Sequence, residues 1–329
     1  MKDERIQPFS EILDALFHAE QVPVHLLFRL SDMPLSAETR FFAAWPGVDD
    51  ERRQEIMGHL VDLAEDNFAV DFTPIFKVGL TDPAAAVRIS ALDGIWDATD
   101  VRLISPVLTI MQTDENLEAR AAAARALAHF VLLAEWGQIP RRPLEPVLVA
   151  LLAAYEDEET AVPIRRAALE ALGAASHPRV NAFIEEAYEH DDPAMRLSAI
   201  FAMGNSADPR WLPTILEELT SPIPEVRAEA ATAAGAMGSS DAIPLLTELT
   251  QDEDDEVIAA AIVALGQIGG EQVQAILSEL LEDPDFEDMH ELIQESLETL
   301  LLLGGELDMM DYVDDGFDEY DDEDAIDDY

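Results

Sequence analysis

Apolar residues recur at helical spacing along most of the chain, in short blocks separated by proline, glycine and acidic residues. Within residues 190–220, a first helix is predicted to begin after Asp192, a residue type favoured at the N-cap. The same helix is predicted to end at Gly204-Asn205, because glycine and asparagine tolerate the left-handed C-cap conformation. A second apolar stripe runs from Trp211 to Leu219. This block therefore predicts two short antiparallel helices joined by a tight turn.

The block repeats every 31 residues, in four independent columns that share one register. The columns are an alanine column (Ala168, Ala199, Ala230, Ala261), a glycine column (Gly173, Gly204, Gly235, Gly266), a glutamate column (Glu186, Glu217, Glu248, Glu279) and an arginine column (Arg165, Arg196, Arg227) that gives way to Ile258. A fixed period of this length is typical of a solenoid. One helix pair cannot bury its own apolar face, so neighbouring pairs must stack, and small alanine side chains let their helices approach closely.

These residues resemble the HEAT repeat, in the short variant also found in phycobilin-lyase-like proteins. The resemblance is best seen in residues 221–250 and 251–282, where an arginine or its replacement is followed by alanine, then Gly, then paired leucines. It implies an all-α, right-handed α-solenoid of stacked antiparallel helix pairs, and a scaffold rather than a particular activity. It also implies that one arginine per repeat bonds an acidic residue of a neighbouring turn. The matching positions are Arg88, Arg120, Arg165, Arg196 and Arg227.

Composition and period divide the chain into three parts. Residues 1–70 are helical but off-period and rich in phenylalanine, which predicts an atypical N-terminal cap or, alternatively, a partner-binding helical module. Residues 71–305 are predicted to form the repeat solenoid. Residues 306–329 hold 13 acidic and no basic residues, so we expect a disordered acidic tail.

One repeat carries an insertion at about residues 130–143. Arg120 and Arg165 are 45 residues apart, whereas Arg88 and Arg120 are 32 apart. Insertions in solenoids map to loops on one face, often the binding face. The inserted Trp136, Arg141 and Arg142 are residue types enriched at binding hot spots, and we predict that they contact a partner. The alternative is a longer first helix with Trp136 packed over the core.

Charge and cysteine content limit the function classes. The net charge is −50, which excludes nucleic acid and anionic membranes as direct ligands. There is no cysteine, which excludes disulfides, thiol catalysis and thiolate metal sites. The charged N-terminus does not resemble a signal peptide, and no apolar run approaches ~18 residues. We therefore expect a soluble, cytoplasmic protein that is a monomer.

The sequence holds no recognisable catalytic constellation. The HEAT-like repeat proteins include deoxyhypusine hydroxylases, whose di-iron site uses repeated His-Glu pairs, but here only His290-Glu291 forms such a pair. We predict a non-enzyme with no cofactor and no metal. The alternative is an accessory or enzyme related to the HEAT-like lyases and hydroxylases, acting on a cofactor or a modified protein.

Acidic residues recur at one position of the repeat. The glutamate column occupies one position on four successive second helices, which line the concave face in this family, and Glu185 and Glu218 lie beside it. We predict that this face binds a basic protein partner, with Glu186, Glu217, Glu218, Glu248 and Glu279 as contacts. Two alternatives stay open: a merely solvated helix face, and an acidic tail that mimics nucleic acid and competes for a basic protein.

Overall fold

The computed structural model describes residues 8–67 and 69–301, and all regular secondary structure in this part of the chain is helical. The chain divides into two compact units, Met1–Ala202 and Met203–Tyr329. The predicted acidic tail, 306–329, lies outside the described residues, as does the predicted solenoid end at residue 305. The prediction of an all-α repeat fold is confirmed.

The first unit consists of ten helices and the start of an eleventh within its described residues, with short 3₁₀ turns between several of them. They are α1 (Phe9–His18), α2 (Leu35–Ala44), α3 (Asp50–Asp66), α4 (Thr73–Gly79), α5 (Ala85–Asp93), α6 (Ile104–Thr113), α7 (Leu117–Glu135), α8 (Glu145–Glu156), α9 (Val162–Gly173), α10 (Val180–Tyr188) and α11 (Pro193–Ser206). Residues Val24–Leu30 form a 3₁₀ helix, entered through Pro23.

The second unit begins inside α11 and continues the alternation of longer first and shorter second helices. Its described elements are α12 (Leu212–Glu218), α13 (Pro224–Met237), α14 (Ile243–Leu249), α15 (Asp255–Ile268), α16 (Glu271–Glu282) and a final helix, α17, at 290–301. Asp254 caps α15 by accepting hydrogen bonds from the backbone N–H groups of Glu256 and Val257.

The N-terminal region packs around aromatic rings rather than alanine. The rings of Phe41 and Trp45 stack with centroids 5.2 Å apart, and Phe17 lies 5.7 Å from Phe41. All three side chains are buried. Large aromatic side chains hold helices further apart than alanine does, which explains why this region departs from the 31-residue pattern.

In the repeats, first helices pack through the alanine and glycine columns. The four column alanines are fully buried. A Cβ atom added to Gly204 would lie 2.6 Å from the Cα of Ala233, and one added to Gly173 would lie 2.9 Å from that of Ala202. The glycines are therefore required by close helix approach. The prediction that Gly204-Asn205 ends its helix is wrong, because α11 continues to Ser206, and residues with left-handed φ follow α11 at Ala207 (φ +47°) and α13 at Gly238 (φ +62°).

Arginines link successive turns, as the family resemblance implied, but the arginines that pair with an aspartate are not the same set that the sequence suggested. Arg88 and Arg227 each donate two hydrogen bonds, of 2.7–2.8 Å, to Asp114 and Asp252 respectively. Arg120 and Arg165 instead donate to main-chain carbonyls, those of Met111 and Tyr155. Arg196 lies over the Tyr188 ring and makes a further contact. An additional arginine, Arg53, bonds Asp82 through two nitrogens at 2.9 Å. These three arginine–aspartate pairs form what we call the arginine ladder.

The ladder makes stability depend on pH in the acid range. Hydrogen bonding from Arg227 lowers the pKa of Asp252 below its ordinary value of 3.8. A carboxylate with a depressed folded-state pKa stabilises the fold above its unfolded pKa, and that stabilisation is lost as the pH falls through the folded-state value. Wild type should therefore melt above Asp252→Asn at neutral pH, and the difference should shrink steadily below about pH 4. Thermal melts of both proteins across this range check it, and a pH-independent difference would contradict it.

Candidate protein-binding surface

The glutamate column occupies exposed positions on second helices. Each glutamate stands two residues after a fully buried residue of its helix. The pairs are Ile184 and Glu186 on α10, Ile215 and Glu217 on α12, Leu246 and Glu248 on α14, and Leu277 and Glu279 on α16. Two residues are about 200° of helical rotation, so each carboxylate points away from its own core. Glu186 belongs to the first unit, and the other three belong to the second.

Two residues beside the column differ in exposure. Glu185 is exposed like the column itself, whereas Glu218 is half-buried and makes contacts of its own. Glu218 is therefore a poorer candidate contact than the sequence suggested.

The same register continues into earlier second helices with different chemistry. On α8, Val149 stands two residues after the fully buried Val147 and is 67% exposed. On α6, Thr109 stands two residues after Val107. The acidic part of the register thus begins at Glu186. Sequence reasoning missed Val149 because the insertion breaks the 31-residue interval.

The second unit has a large uncompensated negative charge. Residues 203–301 contain 22 Asp and Glu residues against two basic residues, Arg210 and Arg227, a net charge of −20. Both arginines already form ion pairs within the chain: Arg210 pairs with Asp208 at 2.9 Å, and Arg227 pairs with Asp252 at 2.7 Å. No lysine or arginine follows Arg227 in the chain. The column carboxylates of this unit therefore lie in a negative electrostatic field.

The insertion lengthens a helix and ends in an exposed loop. Helix α7 runs for 19 residues to Glu135, five more than α11, α13 or α15, and the rest of the insertion lies beyond it. Trp136 follows directly and is 65% exposed, so the alternative in which it packs over the core is wrong. Arg141 folds back to Glu135 at 2.8 Å, and Arg142 is exposed. All three predicted insertion residues are thus accessible to a partner.

A cleft of about 270 Å³ lies beside this loop. Its apolar floor includes Val131, Leu144 and Leu148, and its rim includes Glu135 and Arg141, the ion pair just described. The cleft therefore combines apolar and charged groups, next to an exposed tryptophan in sequence.

The described residues show neither a metal-ligand cluster nor a membrane-spanning element. Among residues 8–67 and 69–301, no group of three or more His, Asp or Glu side chains is arranged to hold a metal ion. His290, of the predicted His-Glu pair, has a buried Nε2 atom without a hydrogen-bond partner in this part of the chain. None of the helices described is both long and apolar enough to cross a bilayer.

Comparison with known proteins places the repeats in a family. The model of HEAT repeats matches residues 145–217 and 212–298. No curated protein matches the chain.

Several solved structures are similar to this chain at low sequence identity. The Escherichia coli protein YibA is 16% identical, with 82% of this chain and 98% of that chain covered and a TM-score of 0.40. Human deoxyhypusine hydroxylase is 19% identical, covering 79% and 95%, with a TM-score of 0.34. An engineered protein is 17% identical, covering 89% and 88%, with a TM-score of 0.38.

The family match spans the helix pairs from α8 into α17, in which the 31-residue columns lie. The resemblance to HEAT repeats found in the sequence is thereby confirmed for residues 145–298.

Proposed function

We propose that this chain is a protein-binding scaffold, and that the second helices of residues 203–301 recruit a basic protein partner. The repeat fold fits a binding scaffold, because stacked helix pairs present extended surfaces. The observation that carries the proposal is the shared register of Glu217, Glu248 and Glu279, each exposed on successive second helices. Glu186, in the first unit, is exposed at the same position of its own second helix.

The spacing of the column suits a regular basic segment. Packed helices lie about 8–10 Å apart, so successive column carboxylates recur at roughly that interval. Seven residues of a helix advance about 10.5 Å, and three residues of an extended strand advance about 10 Å. A segment with lysine or arginine at either interval would place one cation against each carboxylate.

The expected energetics are those of exposed ion pairs in a strong field. Each exposed pair contributes about 0.2–1 kcal/mol, and the surrounding net charge adds long-range attraction that accelerates encounter. The affinity should therefore fall as salt rises, because added ions screen these charges over about 8–10 Å.

The test is affinity capture from host lysate, at low and at moderate salt, by three versions of the full chain. The column variant is Glu217→Gln, Glu248→Gln, Glu279→Gln. The matched control is Glu225→Gln, Glu256→Gln, Glu291→Gln, which removes the same charge from exposed positions on first helices. We expect the column variant to bind the captured partner about 5- to 30-fold more weakly than the control does. An equal loss of affinity in both variants would show that binding depends only on the net charge. That result would contradict the glutamate column as the binding surface.

A chain ending at residue 305 separates the column from the acidic tail. In our proposal the partner is retained by this shorter chain and released by salt. A partner lost with the tail alone would assign recognition to residues 306–329 instead.

In this proposal the scaffold acts by binding rather than by catalysis. Metal analysis and an absorbance spectrum of the purified protein test that part separately. A stoichiometric metal or a bound chromophore would contradict it and favour the accessory or enzyme alternative.

A further inference from the structure

Turns of one kind, each built around an aspartate, recur along the chain, and four of them share the repeat register. In each case the aspartate Oδ1 accepts a hydrogen bond of 2.9–3.1 Å from the backbone N–H two residues later. The four pairs are Asp82 and Ala84, Asp114 and Asn116, Asp252 and Asp254, and Asp283 and Asp285. At Asp82, Asp114 and Asp252 the carboxylate is thereby fixed three residues before the first helix that follows, whereas Asp283 is followed by a 3₁₀ helix, Pro284–Met289.

Three of these four aspartates receive an arginine from the first helix of the preceding pair. They are the ladder pairs Arg53–Asp82, Arg88–Asp114 and Arg227–Asp252. Arg88 and Arg227 also donate an Nη1–H to the carbonyl six residues earlier, at 2.7 and 2.8 Å. Each guanidinium thus bonds two turns. One precedes its own helix, and the other follows the second helix of the same pair.

The fourth aspartate, Asp283, has no such arginine. The residue 31 positions after Arg227 is Ile258 on α15, and Asp283 makes no ion pair among the described residues. Counting back six residues from Ile258 gives Asp252, whose carbonyl stands where Ser221 offers its carbonyl to Arg227. The carbonyl and carboxylate acceptors of the ladder are therefore repeated here, whereas the arginine that would donate to them is replaced by Ile258.

A cleft of about 260 Å³ lies beside Ile258 and Asp252, and Asp283 itself is not among its lining residues. Ile258, Phe286 and Met289 supply apolar walls, and the remaining lining includes Asp252, Asp255, Asp285 and Asp288. Asp285 and Asp288 are exposed at its mouth, and Phe286 is buried. An apolar wall with carboxylates around it matches a side chain that has a hydrocarbon stem and a cationic head.

We propose that this cleft, the Ile258 cleft, binds an arginine side chain of the basic partner, in the place that the chain's own arginines occupy in earlier turns. The proposal rests on the proposed function and names the residue through which the partner is recognised. Its methylene groups would pack on Ile258, and its planar guanidinium would donate paired hydrogen bonds to the carboxylates, as Arg227 does to Asp252. Lysine fits less well, because an ammonium group cannot make the two parallel bonds.

The test compares two nine-residue peptides with equal charge, one all lysine and one with arginine at its centre. Binding of each peptide to the full chain is measured by calorimetry at low salt. We expect the arginine peptide to bind roughly fivefold more tightly, since the extra charge-assisted hydrogen bonds act only in the cleft. Comparing the two peptides removes the general attraction to an acidic surface.

Two substitutions on α15 each add one positive charge, one inside the cleft and one outside it. Ile258→Arg should fill the cleft with an arginine of the chain, abolish the preference for the arginine peptide and raise the melting temperature by completing the ladder. Val263→Arg, at a 38% exposed position of the same helix, should keep the preference. If Ile258→Arg does not fold, Asp285→Asn with Asp288→Asn, both exposed, should reduce the preference in its place.

The outcomes separate this inference from the proposed function. An arginine preference that survives in Ile258→Arg, or no preference in wild type, would overturn the cleft while leaving the glutamate column intact. Failure of both peptides to bind, together with failure of the captured partner to depend on the column, would overturn the proposed function as well.

Discussion

Replacing Arg53 with methionine is expected to destabilise the fold by about 3–5 kcal/mol, because it leaves a buried carboxylate without its counter-charge. The side chains of Arg53 and Asp82 are each only 3% exposed. Asp82 also accepts a hydrogen bond from the indole Nε1–H of Trp45, and Arg53 donates to the Val48 carbonyl. The substitution therefore breaks a network that joins the aromatic N-terminal region to the first ladder turn.

The matched comparison is Arg102→Met. Arg102 also pairs with an aspartate, Asp100, at 2.8 Å, but its side chain is 77% exposed. Solvent screens such a pair, so we expect no measurable change in the urea midpoint. Urea denaturation of both variants followed by circular dichroism checks the prediction. Equal midpoints for the two variants would show that the buried pair does not hold the N-terminal region in place.

Replacing Gly204 with alanine is expected to cost about 3 kcal/mol, although alanine is intrinsically the better helix former. The added methyl group would lie 2.6 Å from the Cα and 2.9 Å from the Cβ of Ala233. Backbone atoms cannot move aside as a flexible side chain could. Helices α11 and α13 would have to separate, and the close contacts between them would be lost.

Gly58→Ala is the matched control for that substitution. Gly58 lies within α3, and a Cβ atom added there meets no atom within 4 Å. Because alanine lowers the entropy of the unfolded chain and favours the helix, this variant should be stabilised by about 0.5–1 kcal/mol. Thermal melts should therefore shift in opposite directions. A shift of the same sign in both would contradict close helix approach as the reason for the glycine column.

The repeat architecture could be predicted from the sequence because a 31-residue period is a property of the chain itself. Apolar spacing, the alanine column and the exposed glutamate positions all follow from helix geometry. The role of Gly204 could not be predicted, because the atom that excludes a side chain belongs to a helix about 30 residues away. Local propensity favoured a helix end, and tertiary packing decided otherwise.

Irregular spacing concealed the other features. Arg53 is 35 residues before Arg88, off the interval that identified the later arginines, so its ladder pair was missed. The insertion hid Val149, which shares the register of the column. The exposure of Trp136 depends on where α7 ends, and helix ends are the least predictable part of a sequence-based assignment.

The measurement that most directly tests the glutamate column as a docking surface is carbodiimide cross-linking of the captured partner to the full chain. This reagent joins a lysine amine to a carboxylate only when the two are in contact. Our proposal predicts that mass spectrometry will find cross-links at Glu217, Glu248 and Glu279, and that they will disappear when the ionic strength is raised before the reaction. Cross-links confined to residues 306–329, or to acidic positions on first helices such as Glu225, would contradict it.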